Sequence, residues 1–101
     1  MDYDYELTIL FKSELNDNLK PALDKVKKII EDAGGKIIKE ENDGIKRLAY
    51  AINNREEAIY YFYNVQLGDL ANSKAATISS NLNLNDDVLR YLLVRANIRK
   101  H

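Results

Sequence analysis

The sequence predicts an α+β domain: a four-stranded antiparallel sheet with two helices packed on one of its faces. Three observations carry this prediction. Apolar and polar residues alternate with period two in YDYELTILF (3–11) and AIYYFYNVQL (58–67), the mark of strands with one buried face. Apolar residues recur at three- and four-residue spacing between 16 and 35, the mark of an amphipathic helix. The signals then follow one another as strand, helix, strand, strand, helix, strand.

In the first strand Tyr5, Leu7, Ile9 and Phe11 share one face and Asp4, Glu6, Thr8 and Leu10 the other. The helix that follows lines up Leu19, Ala22, Leu23, Val26, Ile29, Ile30 and Ala33. Asn16, Asp17 or Asn18 is expected to cap its orphan N–H groups, Pro21 is tolerated in its first turn, and Gly34 can take the left-handed conformation that ends it. A second extended stretch runs from Lys36 to Ile52 and is interrupted near Asn42-Asp43-Gly44, a turn or bulge signal. The third strand puts Ile59, Tyr61, Tyr63, Val65 and Leu67 on one side, and the polar NNREE (53–57) joins it to the second as a hairpin. Leu70, Ala71, Lys74, Ala75, Ile78 and Leu82 outline a weaker helix that ends in the loop-like NLNLNDD. VLRYLLVRA (88–96) closes the order as a fourth strand.

A βαββαβ order is that of the split-βαβ, ferredoxin-like arrangement. Right-handed crossovers place strands one and three in the centre and strands two and four at the edges. The sheet face away from the helices then carries Glu6, Thr8, Leu10, Tyr60, Phe62, Asn64, Arg90, Leu92 and Val94, a half-apolar surface that calls for a cover. At 101 residues the whole of 1–101 is expected to form one domain.

Composition excludes several classes of function. With no cysteine there is neither a disulfide framework nor a thiolate nucleophile. No apolar run approaches the ~20 residues that span a bilayer, and the acidic start MDYDYE is unlike a targeting peptide, so a cytoplasmic protein without membrane contact is expected. The lone histidine is His101, serines 13, 73, 79 and 80 sit in no nucleophile elbow, and glycines 34, 35, 44 and 68 form no phosphate-cradling loop. Carboxylates cluster at Glu40-Glu41-Asp43, Glu56-Glu57 and Asp86-Asp87 without calcium-loop spacing. The chain reads as a non-enzyme with no cofactor, no metal and no small-molecule substrate. Its net charge of −1 excludes a general polycation. Charge is nevertheless segregated: residues 1–45 hold seven lysines against eleven acids, whereas Arg90, Arg95, Arg99 and Lys100 form an acid-free block. Any nucleic-acid contact must be local.

YELTIL near the start, GIKRLAYAI (44–52), YYFYNVQL (60–67) and VLRYLLVR (88–95) resemble, in order and spacing, bacterial small-subunit ribosomal protein six. The most specific element is the run Lys46-Arg47-Leu48-Ala49-Tyr50, supported by Tyr5-Glu6 and by Val88-x-Arg90. One departure is Ala51, where family members usually have proline. The resemblance implies a structural constituent of the small ribosomal subunit, a heterodimer with ribosomal protein eighteen, joint binding to small-subunit ribosomal RNA, and no catalysis. On this reading Arg90, Arg95, Arg99 and Lys100 are the expected RNA contacts, and Lys46, Arg47, Tyr50, Tyr60 and Phe62 the expected partner contacts. The pair Lys46-Arg47 in an otherwise buriable strand has two explanations, charges that keep an edge strand from pairing or charges that meet a partner.

Two other readings use the same residues. A ferredoxin-like regulatory module would dimerise through its sheet or hold a small ligand in a pocket of convergent polar groups. A free-standing RNA-recognition domain would stack bases on Tyr60 and Phe62, yet EAIYYFYN lacks the basic-glycine-aromatic opening of that motif.

Overall fold

The computed structural model describes residues 4–68 and 71–95. Strand β1 (Asp4–Lys12) leads through a 3₁₀ turn (Ser13–Asn18) into helix α1 (Lys20–Asp32). The hairpin β2 (Lys36–Ile52) and β3 (Arg55–Gln66) follows, then helix α2 (Ala71–Asn83) and strand β4 (Val88–Arg95). All pairings are antiparallel and the sheet order is β2-β3-β1-β4, the ferredoxin-like arrangement with β2 and β4 at the edges. Among the described residues no helix is long and apolar enough to cross a membrane.

The alternation read from the sequence is the alternation of burial. Tyr5, Leu7, Ile9 and Phe11 of β1 and Ile59, Tyr61, Tyr63 and Val65 of β3 are buried against Ala22, Val26 and Ile30 of α1 and Ile78 and Leu82 of α2. Burying a side chain of this size stabilises by roughly 1.5–3 kcal/mol, so this one layer supplies most of the favourable energy of folding. Helix α2, whose apolar stripe is short, gains polar moorings: the Tyr5 hydroxyl donates to Asn72 Oδ1 at 3.3 Å, Lys74 Nζ to the Leu67 carbonyl at 2.8 Å, and the Tyr91 hydroxyl to the Ser79 carbonyl at 3.2 Å.

Three local expectations are corrected. The residues Asn16, Asp17 and Asn18 belong to the 3₁₀ turn, and α1 begins at Lys20 with no side-chain cap hydrogen bond. The connection NNREE is really a two-residue turn, because Asn53 and Asn54 (φ 50° and 65°) take the left-handed conformations that match the strand twist and let Arg55–Glu57 join β3. The loop-like NLNLNDD gives its first three residues to α2. At the end of α1 the expectation for Gly34 holds: with φ 89° its N–H donates to the Glu31 carbonyl while the Gly35 N–H reaches back to Ile30, a Schellman closure. Gly35 is set by crowding, since a Cβ there would lie 2.9 Å from Leu67 and 3.0 Å from Ile30.

Candidate protein and nucleic-acid interface

Register assigns the helix-free face of the sheet row by row. Tyr60 lies opposite Leu10, which lies opposite Arg90. Phe62, Thr8 and Leu92 make the next row, and Asn64, Glu6 and Val94 the one after. Tyr60, Phe62 and Leu10 are half-buried by neighbours on the sheet itself, while Leu92 at the β4 edge is 61% exposed. Toward the hairpin end, Lys12 and Lys46 flank Ala58 in one row, and the Lys46 ammonium stands 5.5 Å from the centre of the Tyr60 ring. Lys12, Lys46 and Arg90 therefore surround the Tyr60–Leu10 end of an apolar strip, whereas Asp4, Glu6 and Glu41 lie toward the other end. Lys12 is a candidate that the sequence reading passed over, although continuing the alternation one step beyond Phe11 places it on this face.

The segment GIKRLAYAI forms the outgoing strand of an arm. Pairing between β1 and β3 stops at Lys12–Ala58, so residues 47–57 extend beyond the body of the four-stranded sheet. Within the arm Arg47 pairs with Glu57 and Ile52 with Arg55, which leaves Leu48–Ala51 facing the single residue Glu56 in a wide bulge. Tyr50 sits in that bulge at 82% exposure, an aromatic with no cover. Both arginines of the arm hold carboxylates: Arg47 Nη2 reaches Glu56 Oε1 at 3.3 Å, and Arg55 Nη1 donates to Glu14 in the 3₁₀ turn. The Arg55 guanidinium beside Glu14 holds that carboxyl below the usual range. Arg47 and Glu56 are mostly in water and their attraction is worth about 0–1 kcal/mol.

Of the expected RNA contacts, the two among the described residues, Arg90 and Arg95, lie on opposite faces of β4. Arg90 shares the helix-free face with Tyr60, while Arg95, opposite the buried-face residue Tyr5, alternates to the other side of β4. Five residues of strand put ~17 Å between them. Both are exposed, and both stand on an edge strand, so a chain of phosphates running along that edge could be met from either face. Arg99 and Lys100 lie outside the described residues.

Two buried phenols lie on the covered side near β2. The Tyr61 hydroxyl donates to Glu40 Oε1 at 2.7 Å, and burial together with that carboxylate pushes its pKa up to about 12. Tyr63, 1% exposed and with its ring centre 5.0 Å from that of Tyr61, is pushed up mainly by burial, and its hydroxyl has no partner among the described residues. A cleft of about 630 Å³ between α1 and the end of α2 sets Lys25 and Lys28 against Asp32, Asp86 and Asp87, with Ile29, Leu84, Asn81 and Asn85 completing its walls. Among the described residues no group of three His, Cys, Asp or Glu is placed to hold a metal ion.

The family model described as ribosomal protein S6 matches residues 4–95. Among solved structures, the chain is similar in fold to the crystal structure of the 30S ribosomal protein S6 of Thermotoga maritima, with 21% identity and a TM-score of 0.84 over 95% of this chain and 89% of that one.

Proposed function

Because the chain belongs to the ribosomal protein S6 family, structural and non-catalytic components of the small ribosomal subunit in the cytoplasm, we propose that it enters the subunit as a heterodimer with ribosomal protein eighteen and that the pair binds small-subunit ribosomal RNA jointly. The observation that supports this division of labour is the layout of the helix-free face. Its aromatic half, Tyr60 and Phe62 with Lys46 beside them, adjoins the projecting arm with Arg47 and Tyr50, and this half meets the protein partner. The β4 edge meets RNA, with Arg90 and Arg95 on phosphates and Arg99 and Lys100 continuing the acid-free block.

Charge makes the partnership necessary. A chain of net charge −1 has little general attraction for RNA, and the few cations of the acid-free block alone give weak, salt-sensitive binding. The test is a titration of a central-domain ribosomal RNA fragment with this chain alone, the partner alone, and both. Joint binding much tighter than either alone is expected. Tyr60→Ala with Phe62→Ala should weaken capture of the partner, while Arg90→Gln with Arg95→Gln should spare it and weaken only the RNA step. Tight, specific RNA binding by this chain without the partner would overturn the proposal.

A further inference from the structure

We infer that the Glu14–Arg55 ion pair positions the arm for docking: it is a strap that fixes residues 47–57 against the body, so that Tyr50 is presented in one orientation to a protein partner. Little within the arm itself fixes its direction. Beyond Ala58 it is a two-stranded ribbon, and such ribbons are marginal in water. Its own ladder is thinned by the bulge at Leu48–Ala51. The Arg47–Glu56 pair lies wholly within the arm and cannot aim it.

Arg55 reaches out of the arm to Glu14, 41 residues earlier in the chain, in the turn that follows β1. Its side chain is 31% exposed, against 83% for Arg47, so this cation is partly withdrawn from water beside the Asn53-Asn54 turn at the tip of the arm. The charges also favour the kind of partner. Both arm arginines are engaged with carboxylates and Glu57 remains, so the arm offers a bulged backbone and an exposed tyrosine rather than a phosphate clamp. Such a surface fits a protein, with Tyr50 as an aromatic anchor. RNA at the arm is the alternative outcome of the test.

The inference rests on the heterodimer reading only for the partner's identity. Glu14→Gln and Arg55→Gln should each raise amide exchange at Ile52, Arg55 and Glu57 while core amides of β1 and β3 keep their protection. The swapped pair, Glu14→Arg with Arg55→Glu, should restore it. Titration with ribosomal protein eighteen should show the dissociation constant raised about two- to five-fold in the single variants, the effect of depopulating a docking-competent arm, and recovered in the swap. Unchanged arm exchange in both single variants would overturn the strap. Increased exchange with unchanged partner affinity would overturn the docking role, as would a Tyr50→Ala variant that loses RNA affinity in the absence of the partner. If the wild-type chain does not bind protein eighteen at all, the heterodimer reading fails, while the exchange data still decide whether the strap exists.

Discussion

Replacing Lys46 by Leu and Arg47 by Val should leave a folded monomer that associates with itself. In the monomer the pair of substitutions removes a cation–π contact to Tyr60, worth about 0.5–1 kcal/mol at an exposed site, and an exposed ion pair to Glu56, worth about 0–1 kcal/mol. A loss below about 2 kcal/mol leaves a typical domain folded. Association changes more. In an antiparallel contact of one β2 edge with another, two cations from each copy crowd together, and at ~5 Å in a medium of effective dielectric ~20 each like pair costs ~3 kcal/mol. The substitutions delete that repulsion and offer four apolar side chains, which at half burial contribute roughly 3–6 kcal/mol. A dissociation constant of about 1 μM corresponds to about 8 kcal/mol, within reach once the unpaired N–H and C=O groups of β2 form a new ladder. Sedimentation equilibrium over the micromolar range should show mass rising with concentration, with circular dichroism unchanged. A variant that stays monomeric up to about 100 μM would refute the claim that these two cations guard the edge.

Tyr63→Phe should be neutral or stabilising, because it removes a buried hydroxyl with no partner among the described residues, whereas Tyr61→Phe should cost about 1 kcal/mol by breaking the bond to Glu40, a fall of about 4–8 °C in Tm. Thermal unfolding of the two variants checks both signs. In alkali, Tyr61 has a folded pKa raised above its unfolded value of 10.0, so its contribution to stability is complete below pH 10 and is lost as pH rises toward about 12; Tyr63 acts in the same direction. Ultraviolet titration should therefore show the last phenols ionising together with unfolding. In acid the sign reverses: Glu14 is lowered from its ordinary 4.5, so the strap's contribution is present above that pH and disappears as pH falls through the lowered value, which should loosen the arm in backbone relaxation measurements before the core responds. Replacing Arg90 and Arg95 by Gln should flatten the log–log salt dependence of RNA complex formation by about 0.9 per lost duplex phosphate contact.

Strand faces and helix stripes were legible because one face of each element must be dry, and a dry face imposes its period on the residues. Tyr63 and Ile30 could hardly be read otherwise. The ends of elements were less legible, because there the competing states differ by a single local hydrogen bond. Asn16, Asp17 and Asn18 are good capping residues, yet a 3₁₀ turn satisfies that stretch instead. Asn53-Asn54 is a poorer turn signature than Asn-Gly, and the charged REE after it hid the start of β3, which is solvated there because β1 no longer runs alongside. No local pattern signals the Glu14–Arg55 contact, which depends on where the 3₁₀ turn and the arm meet in space. The acid-free block raises a different point. Adjacency in sequence groups its cations without saying which face each takes, and because a strand sends alternate residues to opposite faces, Arg90 and Arg95 differ in parity.

That parity bears on how RNA and protein can share so small a molecule. Arg90 belongs by register to the row of Leu10 and Tyr60, so it borders the half proposed for the protein partner while standing on the edge proposed for RNA. A partner seated on Tyr60 and Phe62 would exclude water around Arg90 and strengthen its attraction for a phosphate at the β4 edge. Arg95, on the other face of the strand, would gain little from that cover. On this proposal joint binding needs no change of shape in this chain, because the partner's cover lowers the dielectric around Arg90. The consequence is an asymmetry. With the partner bound, Arg90→Gln should cost more RNA affinity than Arg95→Gln, and in the weak binding of the chain alone the two should be nearly equal. Equal losses in the complex would mean that the two proteins add their contacts to the RNA independently.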